Sequence, residues 1–180
     1  QATLTTDALE VSPAQLAALE ARVARALDRC TCLWLGGAMP PGVPDDPHAR
    51  LIREAQARGI PTILDARGAA LRLGAAAHPT VLKPNEHELA ELVPAMPMEP
   101  ARLGQVLAGL LRGGTELVLA TLGERGAVAV TRDDRWFLPP LDVPVVNAAG
   151  AGDGMAAALA IGLDEGWPWV ESLRLAVATA

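Results

Sequence analysis

The 180-residue sequence predicts an α/β fold: a mostly parallel sheet with an antiparallel edge. Three observations carry that expectation. Strand-length apolar runs alternate with helix-length amphipathic segments through the first two-thirds of the chain, the pattern of βαβ crossovers. Short strand-like segments then follow one another without intervening helices, which implies antiparallel neighbours at one edge. With 51% apolar and 20% charged residues, the chain can fill one core and is too apolar for disorder. No repeat or low-complexity linker divides it, so a single domain is expected over residues 1–180.

Ser12-Pro13-Ala14-Gln15 starts the first helix with a cap, a proline at N1 and Gln at N3. Leu16, Leu19, Val23, Ala26 and Leu27 continue it at helical spacing. Thr31–Leu35 reads as a buried strand. Cys30 and Cys32 flank Thr31 and cannot bridge comfortably, so both are expected as reduced core residues. The breaker-rich Gly36–Gly42 loop precedes a helix over about Asp46–Arg58, stopped by Gly59. Ile60–Leu64 is a strand ending at Asp65, and Ala69–Leu73 a short helix. A strand near Thr80–Leu82 leads to a helix from Asn85 to Leu92, with Glu88 completing a capping-box start. Pro94–Pro100 reads as a surface loop, Ala101–Arg112 as a helix and Glu116–Ala120 as a strand. Ala127–Thr131, Arg135–Leu138 and Val143–Val146 are the edge strands; Ala151–Asp164 and Pro168–Ala180 are the closing helices.

A net charge of -6 argues against nucleic acid as the main partner. No apolar run reaches membrane-spanning length, and Gln1–Glu10 lacks the basic start and apolar block of a signal peptide. A cytoplasmic protein is the expectation.

The richest segment is Asn147-Ala148-Ala149-Gly150-Ala151-Gly152-Asp153. A glycine turn feeds a helix N-terminus, whose unpaired N–H groups and positive partial charge favour an anion, typically phosphate. Asp153 stands where it could take a proton from a hydroxyl attacking that phosphate. A common glycine turn with an ordinary first-turn Asp is the competing reading. Walker A is excluded by the missing Lys, and the dinucleotide fingerprint by the missing glycine at 155.

Residue usage adds a signal. Fourteen of the fifteen basic residues are Arg; the single Lys, Lys83, lies two residues from Asn85, one of only two Asn. The other, Asn147, opens the glycine turn. Lys83 suits a phosphate as a compact charge. Asn85 and Glu88 could face a hydrated magnesium ion, or simply cap a helix. Thr121-Leu122-Gly123-Glu124-Arg125-Gly126 could hold a nucleotide phosphate, or be a plain β-turn. Each segment follows a strand, where ligands of parallel sheets bind.

Four segments in order, Gly36–Gly42, Lys83–Glu88, Thr121–Gly126 and Asn147–Asp153, resemble the PfkB branch of the ribokinase-like sugar kinases. Within that family the look is closest to the 1-phosphofructokinase and tagatose-6-phosphate kinase subfamilies. The resemblance implies a ribokinase-like three-layer αβα sandwich and ATP-dependent phosphorylation of a sugar phosphate, with Mg2+. It implies Gly150, Ala151 and Gly152 as the anion hole and Asp153 as the base. Lys83, Asn85, Thr121, Gly123 and Gly126 would bind ATP; Asn85 and Glu88 would serve the metal through water. Gly37, Arg67 and Asp153 would meet the substrate, and the intact protein is a possible homodimer. Gly36 and Ala38 replace serines usual in the family, and Asp65-Ala66-Arg67-Gly68 replaces hydroxyl residues, with Arg67 a compensating phosphate ligand. The chain is also expected to lack the family's opening βαβ units, lid and last helices. A kinase of ribose, a nucleoside or a vitamin precursor, or a non-catalytic phosphate-binding fragment, stays open at this point.

Overall fold

A computed structural model describes residues 10–93, 99–144 and 149–180. Among the described residues, six strands form one sheet in the order β1-β2-β3-β4-β5-β6. They are β1 (Leu33–Gly37), β2 (Thr62–Ala66), β3 (Val81–Leu82), β4 (Leu117–Thr121), β5 (Ala127–Val130) and β6 (Arg135–Leu138). The first four pair in parallel, and β5 and β6 add the antiparallel edge.

Strand periodicity sorts the apolar residues into two cores. Leu35, Leu64, Ala66, Leu82, Val118 and Ala120 point to one face. There they meet α2 (Pro47–Ala57), α3 (Gly68–Ala75), α4 (Glu86–Leu92) and α5 (Pro100–Ala108). Ile63, Val81, Leu117, Leu119, Ala127 and Ala129 point to the other, against α6 (Ala151–Asp164) and α7 (Trp169–Ala178). This is the expected three-layer sandwich. Helix α1 (Pro13–Leu27) lies outside it, held through Leu27 against Ala55 and Ile60.

Several expectations need correction. Strand β1 runs two residues later than expected: Gly36 and Gly37 pair with Asp65 and Ala66 and so extend the ladder rather than end it. Likewise β2 continues through Asp65 to Ala66. Cys30 is exposed, not core, because it precedes the strand; Cys32 is half-buried, and both thiols are free. Burial, then the charge of Asp164, pushes the Cys32 thiol up to about 11. Helix α5 ends at Ala108, where the Gly109 N–H turns back to the Val106 carbonyl. Val143 and Pro144 are not in a strand; Val145–Ala148 and residues 94–98 lie outside the described residues. Helix α6 has its expected bounds.

Candidate active site

The parallel strands end at one edge of the sheet, and the polar segments singled out in the sequence follow them there. Helix α6 meets this edge with its N-terminus. Gly150 caps it at φ +89, a left-handed conformation that a side chain would oppose. The first helical bond runs from the Gly154 N–H to the Gly150 carbonyl, 2.8 Å. The Ala151, Gly152 and Asp153 N–H groups therefore precede the helical ladder, as an anion hole requires.

Lys83 lies beneath that turn. It is 3% exposed, and its Nζ is 2.7 Å from Oδ2 of Asp65. A Cβ built on Gly152 would sit 3.3 Å from the same Nζ, so glycine here lets the backbone approach the ammonium closely. The pair follows from strand register. Leu64 pairs with Leu82, and the Lys83 N–H donates to the Leu64 carbonyl at 2.9 Å, so Asp65 and Lys83 meet one step further on. Burial raises the Asp65 carboxyl above its ordinary value; Lys83 opposes that rise and Asp153 adds to it. Glu88 is raised as well, first by burial and further by Asp65. Three carboxylates thus share the neighbourhood of one buried ammonium.

Asn85 and Glu88 form a reciprocal cap. Asn85 Oδ1 accepts the Glu88 N–H at 3.0 Å, and Glu88 Oε2 accepts the Asn85 N–H at 2.8 Å. Each residue gives one oxygen to the helix, and Glu88 keeps its second. Among the described residues, no group of three or more His, Cys, Asp or Glu side chains is placed to hold a metal. A fully protein-built cage is therefore not what these residues form. An ion that keeps most of its water, as magnesium does, fits them better.

The Thr121–Gly126 turn is tied to the same cap. The Thr121 N–H donates to the Pro84 carbonyl at 3.0 Å, and Arg125 pairs with Glu86. Leu122, Arg125 and Gly126 direct their own N–H groups to carbonyls within the turn. Gly126 closes the turn through its N–H bond to the Gly123 carbonyl.

A cavity of about 470 Å³ opens between the end of β1 and α6. Gly37, Arg67, Glu88 and Asp153 line it, together with Asp65 and Trp34. Substrate and base candidates therefore converge on one space. Asn85, Thr121, Gly123 and Gly126 are not on its wall and lie toward β4. Asn147 is outside the described residues. Sequence reasoning marks Asp65 as a candidate position after its strand but not as the partner of Lys83, and it misses Trp34, which reads as part of a buried strand. The signal for Trp34 was its place two residues before Gly36 on the same face of the strand.

Comparison with known proteins gives this geometry a context. Residues 3–180 match the pfkB family of carbohydrate kinases. The chain is 34% identical over 140 residues to the ATP-dependent 6-phosphofructokinase isozyme 2 of Mycobacterium tuberculosis, covering 77% of this chain and 41% of that one. It is 35% identical over 149 residues to the 1-phosphofructokinase of Xanthomonas campestris, covering 80% and 47%. Phosphofructokinase-2 from Escherichia coli, solved with potassium, superposes with a TM-score of 0.83 at 29% identity, over 97% of this chain and 57% of that one. The same enzyme aligns in a tetrameric inhibited form and in complex with fructose-6-phosphate, at 0.83 and 0.82. The chain spans about half the length of the relatives it matches. A match this long, on a glycine turn, cap and sheet order that agree with it, makes the chain a member of the pfkB family of carbohydrate kinases.

Proposed function

We propose that the protein transfers the γ-phosphoryl group of ATP to a hydroxyl of a hexose phosphate, in the manner of the phosphofructokinases it resembles. The observation that carries this reading is the position of Asp153: first turn of α6, on the wall of the cavity, beside the Ala151 and Gly152 N–H groups that precede the helical ladder. Asp153 accepts the proton of the attacking hydroxyl as the new O–P bond forms. The bond from the γ-phosphorus to the ADP oxygen breaks, and ADP leaves with that electron pair. The Ala151–Asp153 N–H groups stabilise charge on the transferred group. Lys83, with its ammonium beside Gly152, supplies fixed positive charge to the phosphates. Arg67, on the wall of the same cavity, takes the acceptor's own phosphate as a fork-shaped donor.

The carboxylates also bear on the cation. Asp65, Glu88 and Asp153 outnumber the buried Lys83, so a bare nucleotide polyanion entering here is repelled. A nucleotide carrying magnesium is not, and Glu88, through its second oxygen and water, is the residue to orient the ion, with Asn85 behind it. Magnesium supplies charge neutralisation of the phosphates. Work on ATP and a phosphorylated hexose fits the cytoplasm. Among the described residues no helix is long and apolar enough to cross a membrane.

The test is Asp153→Asn in the protein at its native length. The amide keeps shape and loses the base, so single-turnover transfer from ATP to fructose 6-phosphate or fructose 1-phosphate should fall by about 10²-fold or more while ATP affinity holds. A variant within tenfold of wild type rejects Asp153 as the base.

A further inference from the structure

Trp34 sits on β1 where a core residue is expected, and it is not buried. Its register partner on β2, Ile63, is wholly buried, whereas Trp34 is 45% exposed. Trp34 and Gly36 share the face of β1 that looks toward α6, opposite Leu35. The indole leans along the strand over Gly36: a Cβ built there would overlap Cζ2 of Trp34 and lie 2.7 Å from its Cη2. The absent side chain at 36 is thus the seat of the ring. Gly36 pairs with Asp65, so the ring lies against the strand pair that carries the buried carboxylate, and it forms part of the cavity wall with Arg67 and Asp153.

We infer that Trp34 is a specificity-determining residue of this cavity, the aromatic wall on which the ring of the phosphorylated sugar acceptor rests. The inference builds on the proposed kinase reading. A sugar ring presents C–H groups made electropositive by the neighbouring oxygens, and these meet the negative face of an indole. Arg67 and Asp153 give the cavity polar groups for the acceptor's phosphate and its reacting hydroxyl. An apolar wall in the same cavity holds the ring so that the hydroxyl faces the base. The nucleotide is the other aromatic-seeking candidate, and topology argues against it. The Thr121–Gly126 turn follows β4, three strands from β1, roughly 14 Å across the sheet. Trp34 belongs to the acceptor end.

The same geometry explains an oddity of the sequence. Gly36 stands where related chains carry a serine, which looked like a lost sugar contact. A side chain at 36 would have to displace the Trp34 ring, so where a hydroxyl is usual this chain presents an aromatic surface.

The experiment measures KM and kcat for fructose 6-phosphate, fructose 1-phosphate and ATP in the native-length protein, with Trp34→Leu, Trp34→Phe, Gly36→Ala and the combination Trp34→Leu with Gly36→Ala. Indole emission is followed as each sugar phosphate is titrated. We expect Trp34→Leu to raise the acceptor KM about tenfold or more, leave the ATP KM within twofold, and remove the part of the emission change that wild type shows. Trp34→Phe should recover most of the affinity. Gly36→Ala alone should weaken acceptor binding by displacing the ring, and should add nothing once Trp34 is Leu. An unchanged acceptor KM in Trp34→Leu, or a shift in the ATP KM instead, overturns the inference and leaves the kinase reading standing. Wild-type protein that neither turns over nor binds any of the sugar phosphates overturns both. If Trp34→Leu does not fold, Trp34→Phe and Gly36→Ala decide: unchanged acceptor affinity and unchanged emission response in both reject it.

Discussion

Removing the Lys83 ammonium should make the stability of the protein depend on pH in a calculable way. Lys83 is 3% exposed and its partner Asp65 has a side chain 15% exposed. At 2.7 Å their attraction is about 6 kcal/mol for an effective dielectric near 20, offset by the several kcal/mol of taking both charges out of water. Lys83→Met deletes the attraction and leaves the desolvated Asp65 behind, next to Asp153. Asp65 then has one escape, which is to bind a proton. From an ordinary value of 3.8, protonation at pH 7.5 costs about 5 kcal/mol, and at pH 5.5 about 2 kcal/mol. Those figures are ceilings on the loss; about 3 kcal/mol at pH 7.5 is expected from buried pairs broken on one side. The sign follows. Without Lys83 the folded carboxyl binds its proton more tightly than the unfolded one. The variant is then least destabilised below pH 3.8, and its deficit grows as pH rises through the raised folded value before levelling off. Urea unfolding of wild type, Lys83→Met and Lys83→Met with Asp65→Asn at pH 7.5 and 5.5 tests this. The double variant should recover most of the loss at pH 7.5. A deficit below 1 kcal/mol at pH 7.5, or one that grows on acidification, refutes the reasoning.

Three further outcomes follow from single contacts. Gly150→Ala should cost about 1–2 kcal/mol, since φ is +89 and the added Cβ meets nothing within 4 Å; thermal unfolding checks it, and a neutral result would show the turn relaxing out of the left-handed region. His48 is buried, its Nδ1 has no hydrogen-bond partner among the described residues, and burial lowers its titration below 6.5. Its folded value lies below its unfolded one, so this component of stability is present above pH 6.5 and lost as pH falls through the folded value. His48→Leu should abolish that component and be neutral or stabilising at pH 7.5, read from unfolding at pH 7.5 and 5.5. The Arg125–Glu86 pair is half-exposed, so Arg125→Ala should change stability by less than about 1 kcal/mol. It ties the 121–126 turn to the Asn85–Glu88 cap, however, so the ATP KM should rise several-fold, and exchanging the two charges should restore it in a steady-state assay.

What the sequence disclosed and what it withheld divide along a physical line. Local chemistry was legible. The Asn85–Glu88 box and the start of α6 at Ala151 are set by a few adjacent residues, and the structure forms both where spacing places them. Boundaries that depend on a neighbour were not. Gly36 and Gly37 look like strand breakers until Asp65 and Ala66 are there to pair with them. The charge at the centre of the site belongs to the second kind. Asp65 and Lys83 are 18 residues apart, and only the parallel register of β2 with β3 makes them partners. The lone Lys was conspicuous as a candidate phosphate ligand, yet its sequence neighbours could not show that a carboxylate holds it, or that Asp153 and Glu88 bear on that carboxylate. The Trp34–Gly36 contact lies between these cases. It is local, two residues along one strand face, and the alternation of strand side chains already places both residues on that face. Reading Gly36 as a deletion of serine hid it. A glycine beside a large aromatic on the same strand face is better read as room made for the ring, and that reading turns an apparent loss of substrate contact into a place for one.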